Sequence, residues 1–400
     1  MGPLEGVHLL DLTTGIAGPY ATKLLADYGA DVVKVERPGG DITRALGPFP
    51  GGEPHPEKSG TFLYFNTNKR SVVLDLKGGG VEAMSALVEW ADIVVESFKP
   101  GVLDGLGVGW EFIRARKPGI SLVSITNFGQ ESPYRDYEGT ELTLYSFAGE
   151  MYSMGVAERE PVKMFGTAAL VESGAAAANA VMASLFVGSR QGIGQHVDFS
   201  IADSQFGGAD RRHVSAIVYE FSGRRTPRSP MDTRGVLRGV YPCADGYVEF
   251  SGAGARLDRL AKMLGDPEWL QDPKWHEPGA ILRPENAEEF DGHFYPWLME
   301  NTKTEIWERA RDARVLCGPL FTIDELVADS HFRDRGFWQD VEHPAAGEFV
   351  MPGRPFIMNA SPWELRRPAP LLGQHTDEVL REAGFDDGRI AALRKKGVVA

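Results

Sequence analysis

The sequence predicts an α/β protein with a mainly parallel sheet in a large domain and a second, smaller α+β domain. Three observations carry this. Strand-like and helix-like segments alternate through the first 130 residues. The pattern changes after Gly194, where a Pro-, Arg- and Gly-rich stretch leads into a hairpin signal. The chain is 400 residues long, more than one simple core usually organises.

"GVHLLDLT" reads as a strand ending at a turn, and "GPYATKLLADYGA" as a helix with apolar spacing and a glycine stop. "DVVKVERP" and "RSVVLDLK" are the second and third strands, "GVEAMSALVEWA" the next helix, and "DIVVESF" and "SLVSITNFG" the fourth and fifth strands. Strands separated by helices imply right-handed crossovers, and ligands of such sheets bind beyond the carboxyl ends of the strands. The loops at those ends are "TTGIAGP", "ERPGGD", "ESFKPG" and "TNFGQ". None is a GxGxxG fingerprint, so a dinucleotide site is not indicated. Further on, "QHVDFSIADSQF" runs from strand to helix, and "SGRRTPRSPMDTRG" is the best linker candidate. "GVYPCADGYVEFSG" gives a hairpin turning at Asp245-Gly246, followed by Trp- and Glu-rich helices. The tail reads as amphipathic helices separated by an extended Pro-rich stretch. Glycines in "SGAGARLDRL" offer a possible anion cradle, or only a turn. The expected domains are residues 1–222, a linker at 223–235, a small domain at 236–325, and a segment at 326–400 returning to the large domain.

A net charge of −14 argues against nucleic acid or an anionic membrane as a partner. Two cysteines, Cys243 and Cys317, exclude a disulfide framework, and no His or Cys spacing fits a metal. The N-terminal "MGPLEGVHLLDLTTG" reads as neither signal peptide nor membrane span, and the expected location is the cytoplasm.

The loops taken together resemble the class III CoA-transferase family, the carnitine dehydratase and bile-acid-inducible group. The matching stretches include "GVHLLDLTTGIAGPYATKLLADYGADVVKVERPGGDITR", "NTNKRSVVLDLK", "ADIVVESFKPGVLDGLGVGWE", "FGQESPYRDYEGTE", "SRQGIGQHVDFSIADS" and "PAPLLGQHTDEVL", in family order over nearly the whole chain. The resemblance implies a Rossmann-like large domain, an inserted small domain, and a dimer of two chains threaded through each other. It implies coenzyme A and acyl-CoA as substrates, with no permanently bound cofactor, and a carboxylic acid as the second reactant. Its CoA contacts map onto Ile16 and Ala17, Arg37, Leu74, Asp75, Leu76 and Lys77, and Ser97, Phe98 and Lys99. One departure is Gly105, where many members carry a phosphate-binding arginine; Arg114 and Arg116 are the nearest cations that could compensate.

A second departure concerns the chemistry. Family transferases carry an aspartate four residues before a glycine, at the entrance to an alanine-rich helix. Its carboxylate attacks the thioester and forms an acyl-enzyme anhydride. In "FGTAALVESGAAAANAV" that position is Leu170, which supplies no nucleophile. Glu172 replaces it only if the segment is extended there, with Ser173 capping a helix that starts just after; otherwise it is an ordinary first-turn acid. Glu141 matches an acidic family position near the thioester and is the second candidate, as a base or an orienting group. The racemase branch would place its histidine at Thr140 and its aspartate at Leu170, and has neither. The expected function is therefore CoA transfer between carboxylic acids with an unusual nucleophile. The alternatives are a non-catalytic CoA-binding subunit beside a paralogous catalytic one, or an acyl-CoA racemase, lyase or hydratase.

Overall fold

Strands His8–Leu12 (β1), Asp31–Glu36 (β2), Lys69–Val73 (β3), Ile93–Glu96 (β4), Ser121–Thr126 (β5) and His196–Ser200 (β6) form one sheet. Their order is β3-β2-β1-β4-β5-β6, and every pair is parallel. This is the doubly wound arrangement expected from strands alternating with helices, and its strand order reverses between β1 and β4. The computed structural model describes residues 2–208, 212–230, 236–251, 256–280 and 283–400.

Both faces of the sheet are covered, which is why its strands read as near-continuous apolar runs. Leu10, Leu12, Val33, Val72, Val94 and Leu122 pack on one face under helices Val81–Trp90 and Trp110–Arg116. Leu9, Val32, Ile93, Val95, Val123 and Ile125 pack on the other under helices Ala17–Asp27 and Ala168–Gln191. The alternation of side chains along each strand sends neighbours to opposite layers. Helix Ala168–Gln191 is long and apolar enough to cross a membrane by length and composition alone. Its Ala177, Ala178 and Val181 nevertheless belong to this core.

The last forty residues seal the β3 edge. His375 donates its N–H to the Ser71 carbonyl at 2.9 Å, and Asp75 donates to the Val398 carbonyl at 2.8 Å. Arg70 is clamped by Asp31, Glu378 and Glu382. Where an extended Pro-rich stretch is expected in the tail, Trp338–His343 (β10) and Gly347–Pro352 (β11) form an antiparallel hairpin. His343 closes its turn by accepting the Ala345 and Ala346 N–H groups at Nδ1.

The chain divides into two compact units: Met1–Met154, Val162–Thr226 and Asp334–Ala400 make the first, and Gly155–Pro161 with Pro227–Arg333 the second. The span expected as the small domain, 236–325, falls inside the second unit, and residues 231–235 of the expected linker lie outside the described residues. In that unit Arg238–Cys243 (β7) and Gly246–Ser251 (β8) form a hairpin, joined by Cys317–Pro319 (β9). Its turn residues are Ala244 and Asp245, so Gly246 already belongs to β8. Tyr241, Phe250, Phe290 and Phe294 fill its core. The glycine cradle expected before Leu257 falls on residues 252–255, outside the described residues.

One glycine sets the approach of two helices. A Cβ on Gly174 would lie 2.6 Å from the Ala17 carbonyl and 3.1 Å from Tyr20 Cβ, whereas one on Gly105 would meet open space. Gly174→Ala is therefore expected to lower stability by about 1–3 kcal/mol through overpacking. Gly105→Ala is expected to cause no loss. Urea unfolding of the two variants checks this, and equal losses from both contradict it.

Candidate active site

The loops after β1, β2, β3 and β4 converge at the switch point, where two cavities open side by side. The smaller, about 190 Å³, is lined by Gly15, Ile16 and Ala17 after β1, Ser97, Phe98 and Lys99 after β4, and Asn127, Arg135, Thr140, Glu141 and Leu170. The larger, about 420 Å³, is lined by Arg37, Leu74, Asp75, Leu76, Lys77 and Phe98, with Lys34 and Asp41. Thr14 and Phe98 line both, forming the ridge between them. Ser97 Oγ accepts the Thr14 N–H at 2.8 Å and so fastens the two halves of that ridge.

All ten residues expected to contact CoA therefore come to one ledge, in two groups. Arg37 is exposed and bonds the Gly40 carbonyl through Nε at 3.1 Å. Lys77 is exposed at the rim of the larger cavity, and Lys99 pairs with Glu138 at the smaller. The cations weighed against Gly105 are occupied elsewhere. Arg114 pairs with Glu111, and Arg116 lies over the Phe112 ring; neither lines a cavity.

The two candidate carboxylates part company. Helix Ala168–Gln191 begins five residues before Ser173, with Thr167 at its N-cap position. Leu170 and Glu172 both sit inside this helix, and positions two apart do not share a face. Leu170 lines the smaller cavity, while Glu172 is exposed and is not among its lining residues. The extended segment that would aim Glu172 at the site is not what forms there, because the helix starts earlier than Ser173 requires.

Glu141 opens helix Glu141–Phe147, held at its first position by a capping box between Thr140 and Thr143. Its Oε1 accepts the Ala169 N–H and its Oε2 the Leu170 N–H, each at 3.1 Å. These amides are the free donors of the first turn of a 24-residue helix, where a negative charge is favoured. Lys163 Nζ stands 3.7 Å from Oε1. A carboxylate thus lies against the backbone of Leu170, one turn into the helix, although the side chain there is apolar.

Beneath the ledge is a buried charge network that the sequence reading missed. Lys69 Nζ donates to Asp11 Oδ2 at 2.9 Å, to the Pro19 carbonyl at 2.9 Å and to Asn66 at 3.0 Å. Lys34 Nζ donates to the Thr13 carbonyl and pairs with Asp41, both at 2.8 Å. Asp41 in turn accepts the Gly15 N–H at 3.3 Å. Burial alone would push the Asp11 carboxyl up, but the Lys69 and Lys34 ammonium groups and the Thr13 and Thr22 hydroxyls hold it at about 2. Burial pushes Lys69 down to about 8, against the attraction of Asp11. Charges inside "LLDL" and "VVKV" were the available signal, since a buried strand tolerates a charge only when it is paired.

These features define a doubly wound α/β protein with an elongated ligand ledge at the switch point. Residues 4–376 match the family described as CoA-transferase family III, and the chain belongs to that family. It is 32% identical to the formyl-CoA:oxalate CoA-transferases of Afipia carboxidovorans and Bradyrhizobium diazoefficiens, over 99% of this chain and 97% of each relative. A crystal structure of a CAIB/BAIF family protein from Brucella suis superposes with a TM-score of 0.84 at 27% identity, covering 96% of this chain and 99% of that one. Membership supports acyl-CoA transfer between carboxylic acids, with CoA thioesters as substrates and no resident cofactor. Among the described residues no group of three His, Cys, Asp or Glu is placed to hold a metal.

The network has a pH signature. A carboxyl held below its ordinary value of 3.8 adds stability that is complete above that pH and is lost as pH falls toward about 2. Asp11→Asn is expected to be less stable at pH 7, by about 3–5 kcal/mol, because it strips the buried Lys69 of its counter-charge. It is also expected to lose less further stability than the parent between pH 5 and pH 2.5. Urea unfolding across that range checks both; parallel acid profiles contradict the role of Asp11.

Proposed function

We propose that this chain transfers CoA between two small carboxylic acids, with Glu141 as the carboxylate that attacks the thioester. The observation that carries the reading is the placement of Glu141. It is the one carboxylate among the described residues lining the smaller cavity, and it lies against the Ala169 and Leu170 amides. The nucleotide end of CoA belongs in the larger cavity, beside Arg37 and Lys77, with the pantetheine arm crossing the Thr14–Phe98 ridge.

A Glu141 oxygen attacks the acyl carbonyl, the C–S bond breaks, and CoA leaves as thiolate, so that a mixed anhydride remains on Glu141. The thiolate attacks the glutamyl carbonyl, which frees the first acid and leaves a glutamyl thioester. The second acid attacks that thioester and releases the thiolate again, which then takes the new acyl group and regenerates Glu141. When an oxygen of Glu141 leaves its amide to attack, the amide becomes a donor for the developing oxyanion. A cavity of about 190 Å³ suits small acids. The formate and oxalate pair named for relatives at 32% identity has that size and supports a substrate of that class.

A homodimer is part of this reading. Phe165 and Phe221 are 102% and 88% exposed, and Phe186, Ile217 and Tyr219 are exposed as well, large apolar side chains of the kind a second copy would cover. The thiols of Cys243 and Cys317 are unpaired, which suits a reducing cytoplasm. Leu170 favours a second reading, a CoA-binding subunit that serves a catalytic paralogue, because the residue at the helix entrance supplies no nucleophile.

Hydroxylamine trapping decides between them. After incubation with formyl-CoA, a hydroxamate is expected at Glu141, and Glu141→Gln is expected to lose both the label and turnover by at least about a thousandfold. A label at Glu172 contradicts the assignment. CoA binding without any label on this chain favours the binding-subunit reading.

A further inference from the structure

Glu96 ends β4 immediately before the ridge residues, and it is only 4% exposed. Its Oε2 accepts the Phe98 N–H at 2.6 Å, so the carboxylate fixes the backbone of the residue that lines both cavities. Ser124 on β5 stands beside the same carboxylate, where its hydroxyl favours the charged form, and Ser124 Oγ lies 2.8 Å from His196 Nε2 on β6. A buried acid, a hydroxyl and a solvent-facing imidazole thus form a continuous chain across three adjacent strands, ending under the ridge. Nothing in the transfer chemistry uses this chain, since it lies one layer below the cavities.

We infer that Glu96 is a positioning residue for CoA, whose carboxylate, connected to solvent through Ser124 and His196, holds the Ser97–Lys99 segment in its binding position only when ionised. The inference rests on the reading that the CoA arm crosses the Thr14–Phe98 ridge. The physical reason is the difference between two hydrogen bonds. An N–H bound to a carboxylate is held by a charge-assisted bond, roughly twice as strong as one to a neutral acid. Losing the charge loosens Phe98 and, through the Ser97–Thr14 bond, the β1 loop as well.

The surroundings place this change in the working range. Burial pushes the Glu96 carboxyl up to about 7, against hydrogen bonds from Ser124 and Phe98 that favour the charged form. The charges that act on it, Asp104 from helix Val102–Gly105 and Asp198 from β6, are both negative and raise it further. His196 stands beyond Ser124, stacked on Trp110, and faces Asp198, Asp104 and Glu131. Burial keeps that imidazole below its ordinary value, so it is neutral where Glu96 titrates and can pass a proton to and from Ser124.

The test is the Kd of CoA between pH 5.5 and 8.5, by calorimetry, on the full chain and on Glu96→Gln and Ser124→Ala. The 3′-phosphate of CoA titrates in the same region in every variant, so the difference between profiles isolates Glu96. The parent is expected to bind about three- to tenfold more tightly above pH 7 than below it, beyond any change seen in Glu96→Gln. Glu96→Gln is expected to match the parent at the acid end and to bind about three- to tenfold more weakly than the parent above pH 7. In Ser124→Ala, which removes a bond favouring the charged form, the midpoint is expected to move upward. That variant decides the matter if Glu96→Gln does not fold, and an unmoved midpoint there overturns the inference. Identical profiles in parent and Glu96→Gln also overturn it while leaving the CoA site standing. No binding by the parent at any pH overturns both readings.

Discussion

The ledge depends on paired charges buried beneath it. Asp11, Lys34 and Lys69 lie on three neighbouring parallel strands and Asp41 on the loop that follows β2, and all four side chains are withdrawn from water. Taking ions out of water offsets most of what their attraction returns, so such pairs add little net stability against an apolar alternative. They fix geometry instead. Lys34 grips the Thr13 carbonyl, Asp41 grips the Gly15 amide, and Lys69 grips the Pro19 carbonyl, so two points of the β1 loop and the first turn of the helix after it are pinned from below. A loop held in this way presents its backbone to both cavities without being covered by side chains.

In the proposed reading, the site on that support separates binding from reaction. The larger cavity and its cations face the ends of β2 and β3, and the smaller faces β4 and β5, with the ridge at the reversal of strand order. A long ligand lies across a switch point more readily than within a single crevice, since loops diverge to either side there. Leu170 alters only the end proposed to react. The helix that carries it still offers its first-turn amides, and Glu141 from a neighbouring helix takes them. The carboxylate has in effect a different point of attachment, reaching the helix from outside.

Much of the fold was legible because its signals are local. Alternating strands and helices, glycine stops and the "DGY" hairpin each declare themselves within ten residues. The β10–β11 hairpin did not, because its loop runs through Pro344 and two alanines to Gly347 at φ +76°, without the Asn-Gly or Asp-Gly pair that marks a two-residue turn. At the site, the ten residues expected to contact CoA were readable only through the resemblance, because each alone reads as an ordinary turn. The sequence left open whether the segment before Ser173 is extended or already helical; the helix begins at Ala168, which removes the geometry that Glu172 would need. The network of Asp11, Lys34, Asp41 and Lys69 joins residues up to 58 apart in the chain, and no local pattern announces such a contact.

The most direct test is a crystal structure of the chain with a non-hydrolysable acyl-CoA analogue. The account requires the nucleotide beside Arg37 and Lys77, the arm over Thr14 and Phe98, and the acyl carbonyl carbon at attack distance, roughly 3–3.5 Å, from a Glu141 oxygen. An acyl group bound away from Glu141, or a nucleotide outside the larger cavity, contradicts it.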